Sequence, residues 1–461
     1  MLALPLRNGP HSRPGHRPGG ERMAEAPKVQ RLLSWIADGR TAAAPLFVLA
    51  AMERVAWTLD GHLAMLDTEL RNAAISWART GWIADAFRPG SGPTAHVGAV
   101  PPVIPGLVFR LFGVDSPTTA IVLTVFSALV VVATSLVLSR AFAKLGTPAP
   151  VRGAAVVLIC LLPLHYELES RSLRIYENGD AALALALLLL AVVRLDRRKT
   201  IGVADSIGLS ALTAFIVALS PSLSICAVAM LGILAWRRLE WSSRARAAAI
   251  LAALLILTSL PWALRNETEL GEMVWTRGNF GLEFALGTHP GAVAPVDPGA
   301  AYLTRLSQIH PHGNEVAYRA MQAAGGELPY SHQLGAETGR WVLAHPGASL
   351  TIWLRHWREF FFPPPWMWFH TAPPDATTPI RLVVVDLIAA LALVGLFAAL
   401  SRRQWLFLYL IPPVLLLPLP YLLTQPLVRY RYVIASLLIF LAADALARLT
   451  GRGQSGLKRT L

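Results

Sequence analysis

The stretch DGHLAMLDTELRNAAISWARTGWIADAFRPGSGPTAHVGAVPPVIPGLVFRLFG, residues 60–113, gathers Asp60, Asp67, Glu69, Asp85 and His96 in one polar segment. Carboxylates this close to a histidine can take a proton from a hydroxyl or hold a divalent cation through oxygen. Residues 68–79, TELRNAAISWAR, place Leu70, Ala73, Ala74 and Trp77 on one helical face. Asp67 then falls at the N-cap, where capping alone accounts for an aspartate. Glu69 falls where the helix dipole favours negative charge. His96, in PTAH after a Gly/Pro-rich turn, reads either as a group orienting a substrate hydroxyl or as a loop histidine with one local hydrogen bond. PPVIPGLVFRLFG predicts a short re-entrant or interfacial helix opened by its prolines.

Three further groupings carry charge. Glu167, Glu169, Arg171, Arg174 and Glu177 crowd residues 165–178. Glu167 and Arg171 are spaced as a helical ion pair, so a solvated salt-bridge turn is one reading. The other is a second carboxylate facing Asp67, with an arginine gripping phosphate. Arg429 and Arg431, in TQPLVRYRYVIAS, precede the last apolar segment. Their planar forks suit phosphate oxygens; snorkelling beside Tyr430 and Tyr432 is the alternative. Arg265 is a weaker candidate of the same kind. Glu53 and Arg54 interrupt the first apolar segment. A charge at a bilayer centre costs about 2.5–3.5 kcal/mol, so this pair lies near an end, faces the interior or finds a partner.

The elements that must position these groups are membrane helices. The chain has 461 residues, 54% hydrophobic and 15% charged, with a mean hydropathy of +0.49. Soluble domains carry about a quarter charged residues, so this is an all-α polytopic membrane protein. Windows of about 20 apolar residues predict about ten spans. They fall near 41–59, 117–139, 152–165, 179–194, 201–219, 222–237, 247–264, 380–400, 404–422 and 432–448. Residues 41–264 thus hold the first seven spans and 380–448 the last three. With the amino terminus inside, the basic clusters RLDRRK, WRRLEWSSRAR, SRR and GLKRTL all lie in the cytoplasm, as orientation by positive charge requires. The net charge of +13 is therefore spread over these connections, and no nucleic-acid patch forms.

The large external segments are then 60–116 and 265–379, and every histidine but His11 and His16 falls outside. The second segment predicts helices around 301–309, 314–324 and 333–344. It ends in SLTIWLRHWREFFF, where Trp353, Trp357, Phe360 and Phe361 form a stripe fit for the membrane interface. Residues 1–40 read as a disordered cytoplasmic start, with Met1 or Met23 as the initiator, and 449–461 as a cytoplasmic tail. Cys160 and Cys226 lie in apolar blocks, which excludes a disulfide framework or a metal motif. No repeat of solenoid period is present.

Five pieces resemble the GT-C membrane glycosyltransferases, in the bacterial branch similar to protein mannosyltransferases and the aminoarabinose transferase of lipid A. They are LDTELRNAAISWARTG, GPTAHVGAVPPVIPGLVFRLFG, PWALRNETELGEMVWTRGNFGLEFALGTHPGA, GRWVLAHPGASLTIWLRHWREFF and RYRYVIAS. Together they span most of 41–448. The resemblance implies a GT-C-like helical bundle with external amphipathic-helix loops. It implies inverting transfer of a sugar from a polyprenyl-phosphate donor to an acceptor lipid, glycan or protein, on the periplasmic face of a bacterial inner membrane. The family's first-loop acid falls on Asp67, with Glu69 beside it, and either serves as base. Its second-loop acid falls on Glu167, Glu169 or Glu177, of which Glu177 is the nearest match. His96, Arg174, Arg265, Arg429 and Arg431 become the substrate-binding candidates. A divalent metal would rest on Asp67 and Glu69. The competing classes are a lipid-linked-saccharide flippase or transporter, which would show repeat symmetry and midplane charge, and a polysaccharide polymerase or ligase.

Overall fold

A computed structural model describes residues 27–369 and 376–450. The choice between Met1 and Met23, the expected disorder before residue 27 and the tail beyond 450 lie outside the described residues. Among the described residues there is no strand, only one isolated bridge between Ala84 and Pro93.

The chain opens with α1 (Lys28–Asp38), which meets α2 (Ala43–Leu59) at a bend of 92°. Gly39, with φ of 70°, ends α1 in the left-handed conformation that makes this corner. The first external layer is α3 (Glu69–Thr80) and α4 (Val103–Phe112). Then come α5 (Pro117–Leu145), α6 (Ala149–Leu161), α7 (Asn178–Asp196), α8 (Val203–Leu219), α9 (Ser224–Arg238) and α10 (Trp241–Leu270). The second external layer holds α11 (Phe280–Gly287), α12 (Pro298–Ile309), α13 (Glu315–Ala323), α14 (Glu327–Ala344), α15 (Pro346–Phe361) and α16 (Pro365–Phe369). The chain re-enters through α17 (Thr378–Ser401), a broken segment ending in α18 (Pro418–Leu423), and α19 (Val428–Leu449).

Each expected span coincides with helical structure. Among the described residues, six stretches are long and apolar enough to cross alone: α5, α7, α10, α17, residues Trp405–Leu423 and α19; the bent α1–α2 pair makes a seventh if taken as one span. The segment expected over 152–165 is shorter, because Leu162 turns extended ahead of Pro163. The span expected over 404–422 is a 3₁₀ turn, a π turn and α18 in series. Pro412, Pro413, Pro418 and Pro420 remove the donors a continuous helix needs.

The bundle closes around α5, α7 and α19. Phe142 of α5 packs on Phe440 of α19 at 5.1 Å between centroids. The apolar window of α19 is 78% buried, whereas that of α10 is 6% buried and faces outward. The external helices sit on one end of this bundle. Two glycines set α11 there: a Cβ on Gly281 would stand 1.9 Å from the Ser331 carbonyl of α14, and one on Gly287 would stand 2.4 Å from Thr424. The aromatic stripe of α15 divides: Trp357 is exposed and Trp353 half-buried, while its last two residues pack inward. Phe360 and Phe361 are buried, and Phe360 stacks on Tyr421 of α18 at 5.8 Å.

Candidate functional site

The helix over Asp67 begins one residue later than the pattern suggests. Thr68 is extended, and its hydroxyl accepts from the Arg71 amide at 3.1 Å. Thr68 is thus the N-cap. Asp67 has no capping role and its side chain stays 75% exposed, 3.6 Å from His312 Nε2 and 3.9 Å from Arg71. Glu69 instead turns inward at the head of α3, where the dipole favours its charge.

The second external layer closes over these acids. Where α12 ends, His310-Pro311-His312 extends toward the first loop. His310 Nε2 lies 3.3 Å from Glu69 Oε1. His96 is buried, edge-on to His310 at 5.7 Å and to Phe87 at 5.0 Å. Glu69, His96 and His310 therefore offer three ligand atoms, all within 4.8 Å of one another. Asp67 is not among them. Several bonds hold the layers in this register. Glu327 of α14 accepts from the Thr94 hydroxyl at 2.7 Å and from the Ala95 amide. The Gly278 amide donates to Ala95 at 2.8 Å. Asp85 serves the loop itself: it sits at φ 62° and accepts from the Gly92 amide at 2.9 Å.

The electrostatics favour the ligating forms. Burial opposes charge on Glu69, but the imidazoles of His310, His96 and His312 outweigh it and lower the carboxyl from 4.5 to about 2. Burial lowers His96 from 6.5 to about 3, against the pull of Glu69. At neutral pH the pair is a carboxylate beside a neutral imidazole, the states a metal requires.

The same chamber continues toward the membrane. Arg277 pairs with Glu177, and its Nε has no hydrogen-bond partner. Burial disfavours the Arg277 cation, but Glu177 and its hydrogen bond outweigh this and raise the pKa. Arg429 lies 4.4 Å over the ring of Tyr176 and donates to the Tyr430 hydroxyl at 2.9 Å. Half-buried Glu283 of α11 feels His310, Arg429, Glu69 and Arg277, yet desolvation dominates and raises its carboxyl above 4.5. Two arginines, a raised carboxyl and a triad of ligand atoms thus lie close together.

The sequence candidates divide accordingly. Asp67, Glu69, His96, Glu177 and Arg429 come together. Arg174 does not join them: it is a buried clamp, with four of its five N–H groups given to Thr124, Leu63, Thr58 and His62 at 2.8–3.2 Å. Arg265 ties α10 to the first loop through Thr94 at 2.9 Å and Ile83 at 2.6 Å. Arg431 points elsewhere. The expected Glu167–Arg171 turn is a buried π turn, because Glu167 pairs with Arg381 at 3.0 Å and Glu169 with Arg54 at 2.7 Å. His310, His312, Arg277 and Glu283 were not singled out from sequence. The HPH triplet, in a segment external by charge, was the available signal.

The class these features define is a polytopic helical membrane protein with a buried acid–imidazole–arginine chamber at one end of its bundle. No family model matches the chain, and no curated protein sequence does. Two solved structures do. One is ArnT from Cupriavidus metallidurans bound to undecaprenyl phosphate, 15% identical over 90% of this chain and 78% of that one, with a TM-score of 0.37. The other is the same protein in the apo state, 13% identical over 89% and 78%, with a TM-score of 0.35. Similarity at this level says nothing about substrate.

Proposed function

We propose that the chain is a membrane glycosyltransferase. It moves a sugar from a polyprenyl-phosphate donor to an acceptor hydroxyl, with inversion, on the periplasmic side of a bacterial inner membrane. The observation that supports this most is the meeting of Asp67, Glu69, His96 and His310 with Arg277 and Arg429 in one chamber, built by both external layers. A flippase would instead be expected to show repeat symmetry with its charges near the midplane.

In this reading Arg277 and Arg429 grip the donor phosphate, whose oxygens suit guanidinium forks. Asp67, at the open rim, takes the proton of the acceptor hydroxyl. Glu69 suits that task less, since a carboxyl held at about 2 is a weak base near neutrality. Attack on the anomeric carbon from the side opposite the phosphate gives inversion in one displacement.

Glu69, His96 and His310 would hold a divalent cation. The 3.3 Å between Glu69 and His310 is close to the edge of about 3.3 Å spanned by two ligands about 2.05 Å from a tetrahedral metal. Ligation through His310 Nε2 requires its proton on Nδ1, which displaces the amide of His312 now 3.2 Å away. A bound cation would stabilise the charge growing on the leaving phosphate.

The purified protein in nanodiscs, given a labelled polyprenyl-phosphate sugar and membrane extract, should transfer label. Asp67→Asn should slow transfer by about 10²–10⁴-fold while leaving donor binding intact. No transfer by the wild type, or full transfer by an Asp67→Asn, Glu69→Gln double variant, ends the proposal.

A further inference from the structure

Arg429 and Arg431 lie two residues apart in the first turn of α19, so the helix turns them about 200° from one another. Arg429 enters the chamber described above. Arg431 leaves on the opposite side. It is 3% exposed, and its Nε has no partner. The charge that acts on it is Asp386 of α17, but the two form no ion pair. Asp386 Oδ1 is itself buried without a partner.

His165 lies near enough to Arg431 for their charges to act on one another. It is 8% exposed, and its Nε2 also lacks a partner. Its ring lies edge-on to Tyr432 at 5.6 Å and tilted against Trp368 at 5.8 Å. The charges acting on it are Arg431, Arg381 and Arg54. Two of these are paired with acids of the same connection, Arg381 with Glu167 at 3.0 Å and Arg54 with Glu169 at 2.7 Å. Tyr432 donates to Glu169 as well, at 2.8 Å. Among the described residues, Arg431 is left with no direct counter-ion.

A guanidinium taken out of water without a partner is costly, and proteins that keep one supply it with an anion. We propose that Arg431 and His165 form a second anion site, separate from the Glu69 chamber, that takes the phosphate headgroup of a lipid. The fork of Arg431 matches phosphate oxygens, and His165 Nε2 adds a donor. The aromatic walls and the place at the end of two apolar spans favour a lipid phosphate over a free ion. Asp386 remains as an acceptor for a hydroxyl or ammonium on the same headgroup. Where the transferase reading holds, and this step rests on it, the site seats an acceptor that is itself an anionic lipid.

The test uses the full chain in dodecyl maltoside, a detergent without phosphate, titrated with dodecyl phosphate. The wild type should bind two equivalents. Arg431→Gln should weaken one of them by about ten- to a hundredfold, the usual effect of losing a charge-assisted bond. His165→Asn should weaken the same one less, and Arg429→Gln should weaken the other. Arg431→Lys, which keeps the charge without the fork, should fold and bind in between, so a collapsed Arg431→Gln cannot pass for a binding loss. Inorganic phosphate at equal concentration should not compete; equal competition overturns the lipid assignment. Unchanged binding by both Arg431 variants overturns the site. So does a result in which Asp386→Asn and Arg431→Gln lower the melting temperature alike and leave binding untouched, which marks a water-bridged ion pair. None of these readouts requires sugar transfer, so the transferase reading can fail without this one.

Discussion

Arg54 with Glu169, and Glu69 with His96 and His310, are both buried groupings of charge, yet they differ in what their atoms touch. Arg54 Nε donates to Glu169 at 2.7 Å, and its Nη1 donates to Ala50 at 3.1 Å and Cys160 at 2.9 Å. Its Nη2 also lies 2.5 Å from Glu169 Oε2. Tyr432 satisfies the other Glu169 oxygen at 2.8 Å, and the Tyr166 ring lies 4.4 Å from the guanidinium. This cluster closes on itself. In the other, Glu69 meets His310 at 3.3 Å, and the His96 ring lies edge-on to Phe87 and His310 with its ligand atom within 4.8 Å of those of Glu69 and His310. Ligand atoms there face one another across an opening. A closed cluster holds helices together, and an open one is fit for chemistry.

That contrast predicts opposite phenotypes. The largest effect belongs to the open site: Asp67→Asn and Glu69→Gln should each cut kcat/KM for transfer by about 10²–10⁴-fold, the range for lost acid–base or electrostatic groups. Asp67→Asn should leave the melting temperature within a degree or two, and Glu69→Gln, which loses a stabilised carboxylate, should lower it by less than Arg54→Met does. Arg54→Met should do the reverse. It strands the Glu169 carboxylate in the bundle, at a cost of about 3–5 kcal/mol, while any protein that remains folded keeps its kcat. Thermal unfolding in detergent beside single-turnover transfer reads both. If Glu69→Gln unfolds the chain as readily as Arg54→Met, the distinction between the clusters is lost.

The next effect is one of pH. Burial lowers His96 to about 3, and lowers His289 and His356 to about 4. Each folded histidine resists a proton that the unfolded chain takes up near 6.5. Stability from these groups is full above about 6.5 and is lost as pH falls toward those values. Glu69 acts in the same direction: its stabilisation is present above 4.5 and is lost as pH falls toward about 2. Acidification from pH 7 to 4 should therefore loosen the external layers before the bundle. Hydrogen exchange at α12 and α14 should rise first, and His356→Asn should narrow the gap. Simultaneous opening of α5 and α19 would contradict a separate external layer.

These expectations rest on features legible in the sequence to different degrees. The apolar blocks show where helices lie because hydropathy is local; Pro412 and Pro413 show in the same way why one span is broken. The cap of α3 differs by one residue because Asp67 and Thr68 are both competent caps, and only the extended backbone of Thr68 decides between them. The role of Arg174 is hidden because its four partners lie in α2, α5 and the first loop, and no local pattern joins them. The triad is hidden for the same reason. His310 reaches Glu69 only when α11 docks through Gly281 and α12 carries the HPH triplet across the first loop. Acids, arginines and histidines can be named from sequence, but which of them share a chamber is set by the docking of two distant inserts.

The smallest expected effect sharpens the contrast from the solvent side. Arg71 of α3 forms an ion pair with Asp115, whose side chain is 56% exposed. Water screens the pair from the Asp115 side, although the Arg71 side chain is only 16% exposed, and ordering two side chains opposes what attraction remains, so a pair open to solvent on one side contributes about 1 kcal/mol. Asp115 also sits at φ 61°, a left-handed conformation that asparagine tolerates as well as aspartate does. Asp115→Asn therefore removes the charge without adding backbone strain, and the melting temperature should barely move. Raising salt should erase even that difference, whereas it should leave the penalty of Arg54→Met in place, because ions do not reach a pair sealed inside the bundle. A cost for Asp115→Asn comparable to that of Arg54→Met would mean that burial and closure do not separate the stabilising ion pairs of this protein from the rest.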